Sequence, residues 1–383
     1  MDLEEYLSDL NEFYFFKEFT YTKNLFRTSD GQEIEVADNI LVIDDLYIAF
    51  QLKERKEIPK ATSNTESKWF EKKVIKKATK QIRDTINYFK DYEEVVLTNN
   101  QGHSFNIATS KVEKIHKVVL FKPGKHLSEK DFNTRYHVSS TIGIIHIIPD
   151  NDYLGIIKYL LTPFEVHDYL NFRESMINKW GKKLQSVPEA ALIGQYLTGD
   201  DISEPNIQFM SALVTLEQDI ENWDMTRIIK TFPDKMINFE YEIDYYNIVR
   251  ELAKLMRNDL REFKTRFKLS MEAAKKGEFC LPYRFALPRT NCAFLFIPLE
   301  KNNEDLKRQA LKNLAIAHKY DVKMQRCVAA TFIYHGNDYY DVDWCFMDFP
   351  WEYNSEIEER LSKDFPFRKV KQKLLNRYEF NPI

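Results

Sequence analysis

An acid interrupts a run of this chain that otherwise suits a buried strand. The stretch EVADNILVI, Glu35–Ile43, is apolar and β-branched apart from its ends, yet Asp38 stands where a buried strand places another apolar side chain. A carboxylate withdrawn from water is costly unless a cation, a metal or hydrogen-bond donors answer it. The next segment supplies candidates. After the turn Asp44-Asp45, the strand LYIAFQLK, Leu46–Lys53, has a period of two that sets Tyr47, Ala49, Gln51 and Lys53 on one face. Folding the two strands about that turn brings Asp38 alongside Gln51 and Lys53, because about seven residues lead back from the turn and about seven lead forward.

The flanking segments give these strands a setting. Asp2–Phe19 carries Leu3, Tyr6, Leu7, Leu10, Phe13 and Tyr14 at helical spacing. Tyr21–Arg27, a turn at Ser29-Asp30-Gly31, Glu33–Ile43 and Leu46–Lys53 then read as a three-strand meander. Pro59–Thr65 reads as a loop, and Glu66–Asp91 as a long helix with Val74, Ala78, Ile82, Ile86 and Phe89 on its apolar face. Glu94–Thr98, Lys117–Phe121 and Thr141–Ile148 are strand-like, and Pro163–Trp180 is helical. The expected fold is α/β (α+β), with a first domain over 1–180 in the order α-β-β-β-α-β. A second domain over 181–383 reads as largely helical and α/β. Within it, Glu204–Lys235 mixes helix with breaks, Tyr241–Lys276 reads as one helix, and Phe294–Pro298, Asn303–His318, Gln325–Tyr334 and Tyr339–Met347 form a small α/β unit.

Composition narrows the class. A chain of 383 residues with 44% hydrophobic and 30% charged residues is long enough for two cores and too apolar for disorder. A net charge of −4 excludes a protein that coats nucleic acid by bulk charge, though not one with a local basic face. Cys280, Cys292, Cys327 and Cys345 have no zinc-ribbon spacing and read as reduced, packed thiols. The acidic start MDLEEYLSDL and the lack of any long apolar run predict a cytoplasmic protein with no membrane partner.

Asp38, twelve intervening residues and then Gln51-Leu52-Lys53, set in α-β-β-β-α-β order, resembles the PD-(D/E)xK nuclease superfamily in the D…QxK form of Mrr-like restriction and phage-defence nucleases. The resemblance covers roughly residues 1–180. It implies a metal-dependent DNA endonuclease in restriction or antiphage defence, using Mg²⁺ or Mn²⁺. Asp38 would be the shared metal ligand, Gln51 would stand at the usual acid position, Leu52 would ligate through its carbonyl, and Lys53 would be the catalytic lysine. Glu18, or alternatively Glu12, would be the acid of the first helix. Gln51 departs from the pattern, since a neutral amide binds Mg²⁺ less strongly than a carboxylate.

Charge distribution fits a nucleic-acid partner. Residues 53–90 hold twelve Lys/Arg against five acids, and Lys72, Lys73, Lys76, Lys77 and Lys80 on the long helix are candidate phosphate-binding residues. Gln81 near the helix seam resembles the polar helix residue that some members aim at the site; the tyrosine expected four residues later is Thr85. His103, His116, His126, His137 and His146 lack HxH or HxxxH spacing and read as packing or surface residues. Nucleophile-elbow, P-loop and dinucleotide motifs are absent. Residues 338–364 carry nine acids among seven aromatics, which predicts a protein partner, a neighbouring subunit in a homo-oligomer, contact with the basic helix of residues 66–91, or a solvated surface. The alternative to a nuclease is a non-catalytic nucleic-acid-binding or adaptor protein on a decayed nuclease fold.

Overall fold

The computed structural model describes residues 2–14, 17–22, 24–27, 31–107, 114–199, 202–225, 242–369 and 377–378. The Ser29-Asp30 part of the first turn, residues 226–235 of the expected helical region and Tyr241 lie outside them. The chain is mixed α/β and divides into two compact units, Met1–Gln218 with Arg377–Ile383, and Asp219–Asn376. The first unit thus runs past position 180, because the helices Glu189–Thr198 and Met210–Gln218 pack within it.

In the first unit the strands are β1 (Thr20–Thr22), β2 (Leu25–Arg27), β3 (Glu33–Glu35), β4 (Asn39–Ile43), β5 (Leu46–Glu54), β6 (Val96–Thr98), β7 (Ser104–Asn106), β8 (Lys114–Lys122), β9 (Tyr136–Ser139) and β10 (Gly143–Pro149). Six of them form one sheet in the order β1-β4-β5-β8-β10-β9. β4 and β5 are an antiparallel hairpin, with Ile43 opposite Leu46. β5 then pairs in parallel with β8, from Leu46 opposite Lys114 to Glu54 opposite Lys122. A parallel pair needs a crossover, and a helix spanning residues 63–91 provides it.

That helix starts earlier than its apolar periodicity suggests. Thr62 accepts from the Thr65 backbone and the Thr65 hydroxyl answers the Thr62 backbone, which caps the segment Ser63–Trp69. Phe70–Ala78 then winds as a wide π-helix before Thr79–Asp91 resumes α geometry. Phe70, Val74, Ala78 and Ile82 bury against Val119, Phe121, Ile145 and Ile147 of the sheet. Gly124 lets the chain pass the helix start: a Cβ there would run into Glu66 Oε2, where the Glu66 carboxylate grips Arg55 with N···O distances of 3.0 Å. The helix is thereby tied to the exit of β5.

The opposite face of the sheet is covered by the helices Leu3–Tyr14, Asp150–Tyr159 and Pro163–Trp180. Asn11 donates to Asn39 at 3.0 Å and accepts from the Tyr153 hydroxyl at 2.7 Å, a buried chain linking two helices to β4. Further along this face, Glu189 accepts from Arg173 at 2.7 Å and from the Tyr169 hydroxyl at 2.5 Å. His146 is fully buried beside Arg173, and desolvation with that neighbouring charge pulls its pKa down to about 3.

The expected strands Tyr21–Arg27 and Glu33–Ile43 are each divided. Their inner parts, β2 and β3, form a separate two-stranded ribbon, while β1 and β4 enter the sheet. The first helix is described over Leu3–Tyr14, and Lys17–Phe19 form a separate short turn.

The second unit holds the helices Glu242–Ala253 and Arg257–Lys276, where the spacing predicts a single helix. Asp259 interrupts it by accepting from the Met256 backbone at 2.9 Å, a helix start, while pairing with Arg289 at 2.6 Å. Strands β11 (Tyr283–Leu287), β12 (Cys292–Leu299), β13 (Arg326–Gly336) and β14 (Tyr339–Asp348) form a mixed sheet in that order. Phe263 and Phe267 of helix Arg257–Lys276 pack on Phe296, Phe332 and Trp344 on one face. Leu311 and Ala315 of helix Lys307–Asp321 pack with Ala293, Leu295 and Cys327 on the other. Cys292, Cys327 and Cys345 are buried free thiols and Cys280 is a half-buried one. Among the described residues no helix is long and apolar enough to cross a membrane.

Removing the Tyr153 hydroxyl strands the buried Asn11 carbonyl. Tyr153→Phe is therefore expected to lower the unfolding free energy by about 1–3 kcal/mol, measured by urea titration, with an unchanged slope.

Candidate metal and phosphate site

Asp38 lies immediately before β4, and the register that pairs Asn39 with Phe50 sets it across from Gln51. Three hydrogen bonds to the backbone fix this approach. The Val36 amide donates to the Asn24 carbonyl at 2.8 Å, and the buried Asn24 side chain donates to the Ala37 carbonyl at 3.1 Å. The Thr85 hydroxyl of the crossover helix donates to the Val36 carbonyl. Thr85, standing where the resemblance expects a tyrosine, thus anchors the segment that carries Asp38.

Asp38 Oδ2 accepts from the Leu52 amide at 2.5 Å and lies 3.9 Å from Lys53 Nζ. Both side chains are only 14% exposed, so each charge feels the other in a poorly solvated setting. Desolvation raises the Asp38 pKa above 3.8, against the attraction of Lys53, the Leu52 hydrogen bond and the more distant Lys77. Desolvation also lowers the Lys53 pKa below 10.5; Asp38 opposes that shift and Lys77 reinforces it. The ammonium of Lys53 donates to the Leu52 carbonyl at 2.7 Å. Two further buried oxygens have no hydrogen-bond partner among the described residues: Gln51 Oε1 from β5 and Gln81 Oε1 from the crossover helix. An amide oxygen without a donor in a dry site is a ready ligand for a cation.

The crossover helix adds positive charge beside these groups. Lys72, Lys73, Lys76, Lys77 and Lys80 are all exposed. Lys77 bears electrostatically on Asp38 and Lys53, and Lys73 on Lys53. Lys73, Lys77 and Gln81 follow one another at intervals of four and so share a stripe on the side of the site. Lys76 has its own partner, Glu71, at 3.3 Å.

Glu18 does not join this group. It lies in the short turn Lys17–Phe19 leading into β1, and Thr20 pairs with Leu41, so Glu18 is level with the Ile43 end of β4. Asp38 is at the other end, roughly 15 Å away along the strand at about 3.3 Å per residue. The alternative, Glu12, accepts from Asn100 Nδ2 at 2.8 Å. The acid whose charge does reach Lys53 is Glu35, exposed at the end of β3. Its only signal in the sequence is its position three residues before Asp38.

The acidic segment 338–364 proves largely paired within its own unit. Asp338 meets Lys275 at 2.7 Å, Asp341 and Asp343 share Lys307 at 2.6 and 3.2 Å, and Glu356 and Glu359 meet Arg360 and Lys363.

No protein-family model, curated protein or solved structure matches this chain.

The Asp38 shift has a signed consequence. A carboxyl whose folded pKa is raised binds its proton more tightly folded than unfolded, so stability falls as pH rises from 3.8 through the folded value. Asp38→Asn abolishes that fall. With EDTA present at neutral pH, the variant is expected to melt at or above the parent's midpoint and to lack this pH-dependent drop. A lower midpoint would show that the Asp38 charge stabilises the fold.

Proposed function

We propose that the first unit is a metal-dependent nuclease that hydrolyses phosphodiester bonds of duplex DNA. The observation that carries this reading is the meeting of a desolvated carboxylate, a desolvated ammonium and a buried amide oxygen without a donor at the open end of the β4–β5 hairpin, beside exposed lysines. The order helix Leu3–Tyr14, β1, β4, β5, crossover helix, β8 supports it as an α-β-β-β-α-β core of the PD-(D/E)xK kind.

The donors suit a hard cation such as Mg²⁺ or Mn²⁺: Asp38 by its carboxylate, Gln51 by Oε1, and Leu52 by a carbonyl that has a second lone pair beside the one Lys53 occupies. When bound there, such an ion polarises a phosphoryl oxygen and acidifies water. Lys53 orients the attacking water, and burial draws its pKa down, which eases the exchange of a proton with that water. Lys77 answers the charge that grows on the phosphate, an interaction that strengthens in the transition state. Lys73 holds a neighbouring phosphate.

Plasmid, linear duplex, single-stranded DNA and RNA incubated with Mg²⁺, Mn²⁺ or EDTA test the reading. Duplex DNA should be cut in either metal and spared in EDTA. Asp38→Ala and Lys53→Ala should each lower the rate about 10²–10³-fold or more with the fold retained by circular dichroism. Cutting in EDTA, or full activity in Lys53→Ala, removes the assignment. Metal-independent DNA binding without cleavage would favour the non-catalytic reading, for which the neutral Gln51 is the supporting feature.

Salt dependence tests the helix separately. Each lysine withdrawn from a phosphate should reduce the slope of log K against log salt by about 0.9 on duplex DNA. Replacing Lys73 and Lys77 together by Gln should flatten the slope by nearly twice that, whereas Lys76→Gln, already paired with Glu71, should change it less.

A further inference from the structure

Buried charges outside the first site mostly answer one another. On the sheet face turned away from the crossover helix, Arg173 pairs with Glu189 at 2.7 Å and donates from Nη1 to His146 Nδ1 at 2.9 Å, while Glu174 lies 3.3 Å from His116 Nδ1. In the second unit, Lys254 pairs with Glu251 at 3.0 Å. Lys319 of helix Lys307–Asp321 differs. It is 2% exposed, yet among the described residues its ammonium has neither an ion pair nor a hydrogen-bond acceptor, and it lies 3.6 Å from the centroid of the Phe349 ring. Desolvation lowers its pKa below 10.5, against the through-space pull of Cys327 and Asp348. Asp348 is itself engaged, accepting from Gln325 Nε2 at 2.7 Å.

Lys319 lines a cavity of about 290 Å³ between the end of its helix and the segment that follows β14. Ile316, Phe349, Pro350, Trp351 and Ile357 supply apolar walls. Those walls are fixed in advance. The Phe349 amide donates to the Gln325 carbonyl at 3.2 Å, Trp351 Nε1 donates to the Tyr320 carbonyl at 3.1 Å, and the Tyr320 hydroxyl donates to Glu358 at 3.0 Å. The Trp351 ring leans on Tyr320, with centroids 5.6 Å apart. A preformed, largely apolar hollow with one charged group inside has the make-up of a small-molecule site, at the small end of the size range.

An ammonium kept from water without an acceptor has most to gain from an anion. The acids nearby limit which anion. Glu352 lines the same cavity, Glu358 stands behind Tyr320, and Asp348 acts on Lys319 from a distance. A doubly charged phosphate would be repelled by them, whereas a single carboxylate is matched by Lys319 alone. We propose that this cavity binds a small monocarboxylate with a flat apolar body, the carboxylate on Lys319 and the body against Phe349, Pro350 and Trp351. A free arylalkanoic acid and the C-terminal carboxylate of a peptide ending in an aromatic residue share that chemistry, and the cavity's size favours the free acid.

The full chain is titrated by calorimetry with phenylacetate, with the uncharged phenylacetamide, with inorganic phosphate, and with N-acetylglycylphenylalanine as the peptide-end probe. Phenylacetate should bind with a dissociation constant of about 0.1–1 mM, as suits some ten heavy atoms, and the amide should bind about tenfold to a hundredfold more weakly. Tighter binding of the peptide would assign the carboxylate to a chain end within the same proposal. Lys319→Met keeps the helix propensity and the packing on Phe349 and should lose phenylacetate by a similar factor. Should that variant fail to fold, Ile357→Trp, at a half-buried wall position, fills the cavity and should block binding with circular dichroism unchanged. Lys323→Gln, which removes the exposed lysine over the Trp351 ring, should change the affinity far less. No binding of either carboxylate at millimolar concentration, equal binding of phenylacetamide, stronger binding of phosphate, or unchanged affinity in folded Lys319→Met or Ile357→Trp overturns the proposal.

Discussion

The first unit is organised around the cost of keeping the Asp38 carboxylate poorly solvated. Water would stabilise that charge far better than its present surroundings, so its position must be imposed by bonds that do not involve the carboxylate. Asn24 and Thr85 impose it by holding the Val36 and Ala37 peptide groups from the start of the ribbon and from the crossover helix. The Leu52 amide and Lys53 then answer part of the charge without satisfying it fully, as the raised pKa records. A group left in that condition has the most to gain from a further cation. The same logic applies to the buried Gln51 and Gln81 oxygens.

Much of this grouping is legible in the sequence because it depends on local arithmetic. The turn at Asp44-Asp45 fixes which residues of β4 and β5 face one another, and strand period fixes which side Gln51 and Lys53 share. The charge of the crossover helix is equally plain. Relations set by tertiary hydrogen bonds are not. Asn24 and Thr85 look like ordinary polar residues until the peptides they hold are known, and Glu18 resembles a helix acid only if the first helix reaches Phe19. The break before Arg257 has no Gly or Pro to announce it. His116, His146 and Glu174 are separated by long stretches of chain, and only parallel strand pairing and a returning helix bring them together.

The second unit shows how composition can mislead about surface chemistry. The acid-rich segment 338–364 suggests a face offered to a partner, yet lysines and arginines from its own unit meet much of it. Counting charges along the chain records only one side of pairs whose other members, Lys275 and Lys307, lie in earlier helices. The aromatic residues of that segment also divide, Trp344 entering the core and Tyr353 remaining in water.

The π-wound stretch Phe70–Ala78 bears on phase. Each wide turn spends more residues per revolution than an α-turn, so everything after Ala78 is rotated relative to where uniform winding would leave it. Thr85 meets Val36, and Gln81 turns its oxygen inward, only at the present angle. The first half of the helix is held by Arg55 and Glu66, and the second by Thr85, so the winding between them works as an angular spacer between two fixed points. Deleting one residue from that spacer would leave the lysines on the chain and the apolar seam nearly as long, yet turn the site's own stripe away from Asp38.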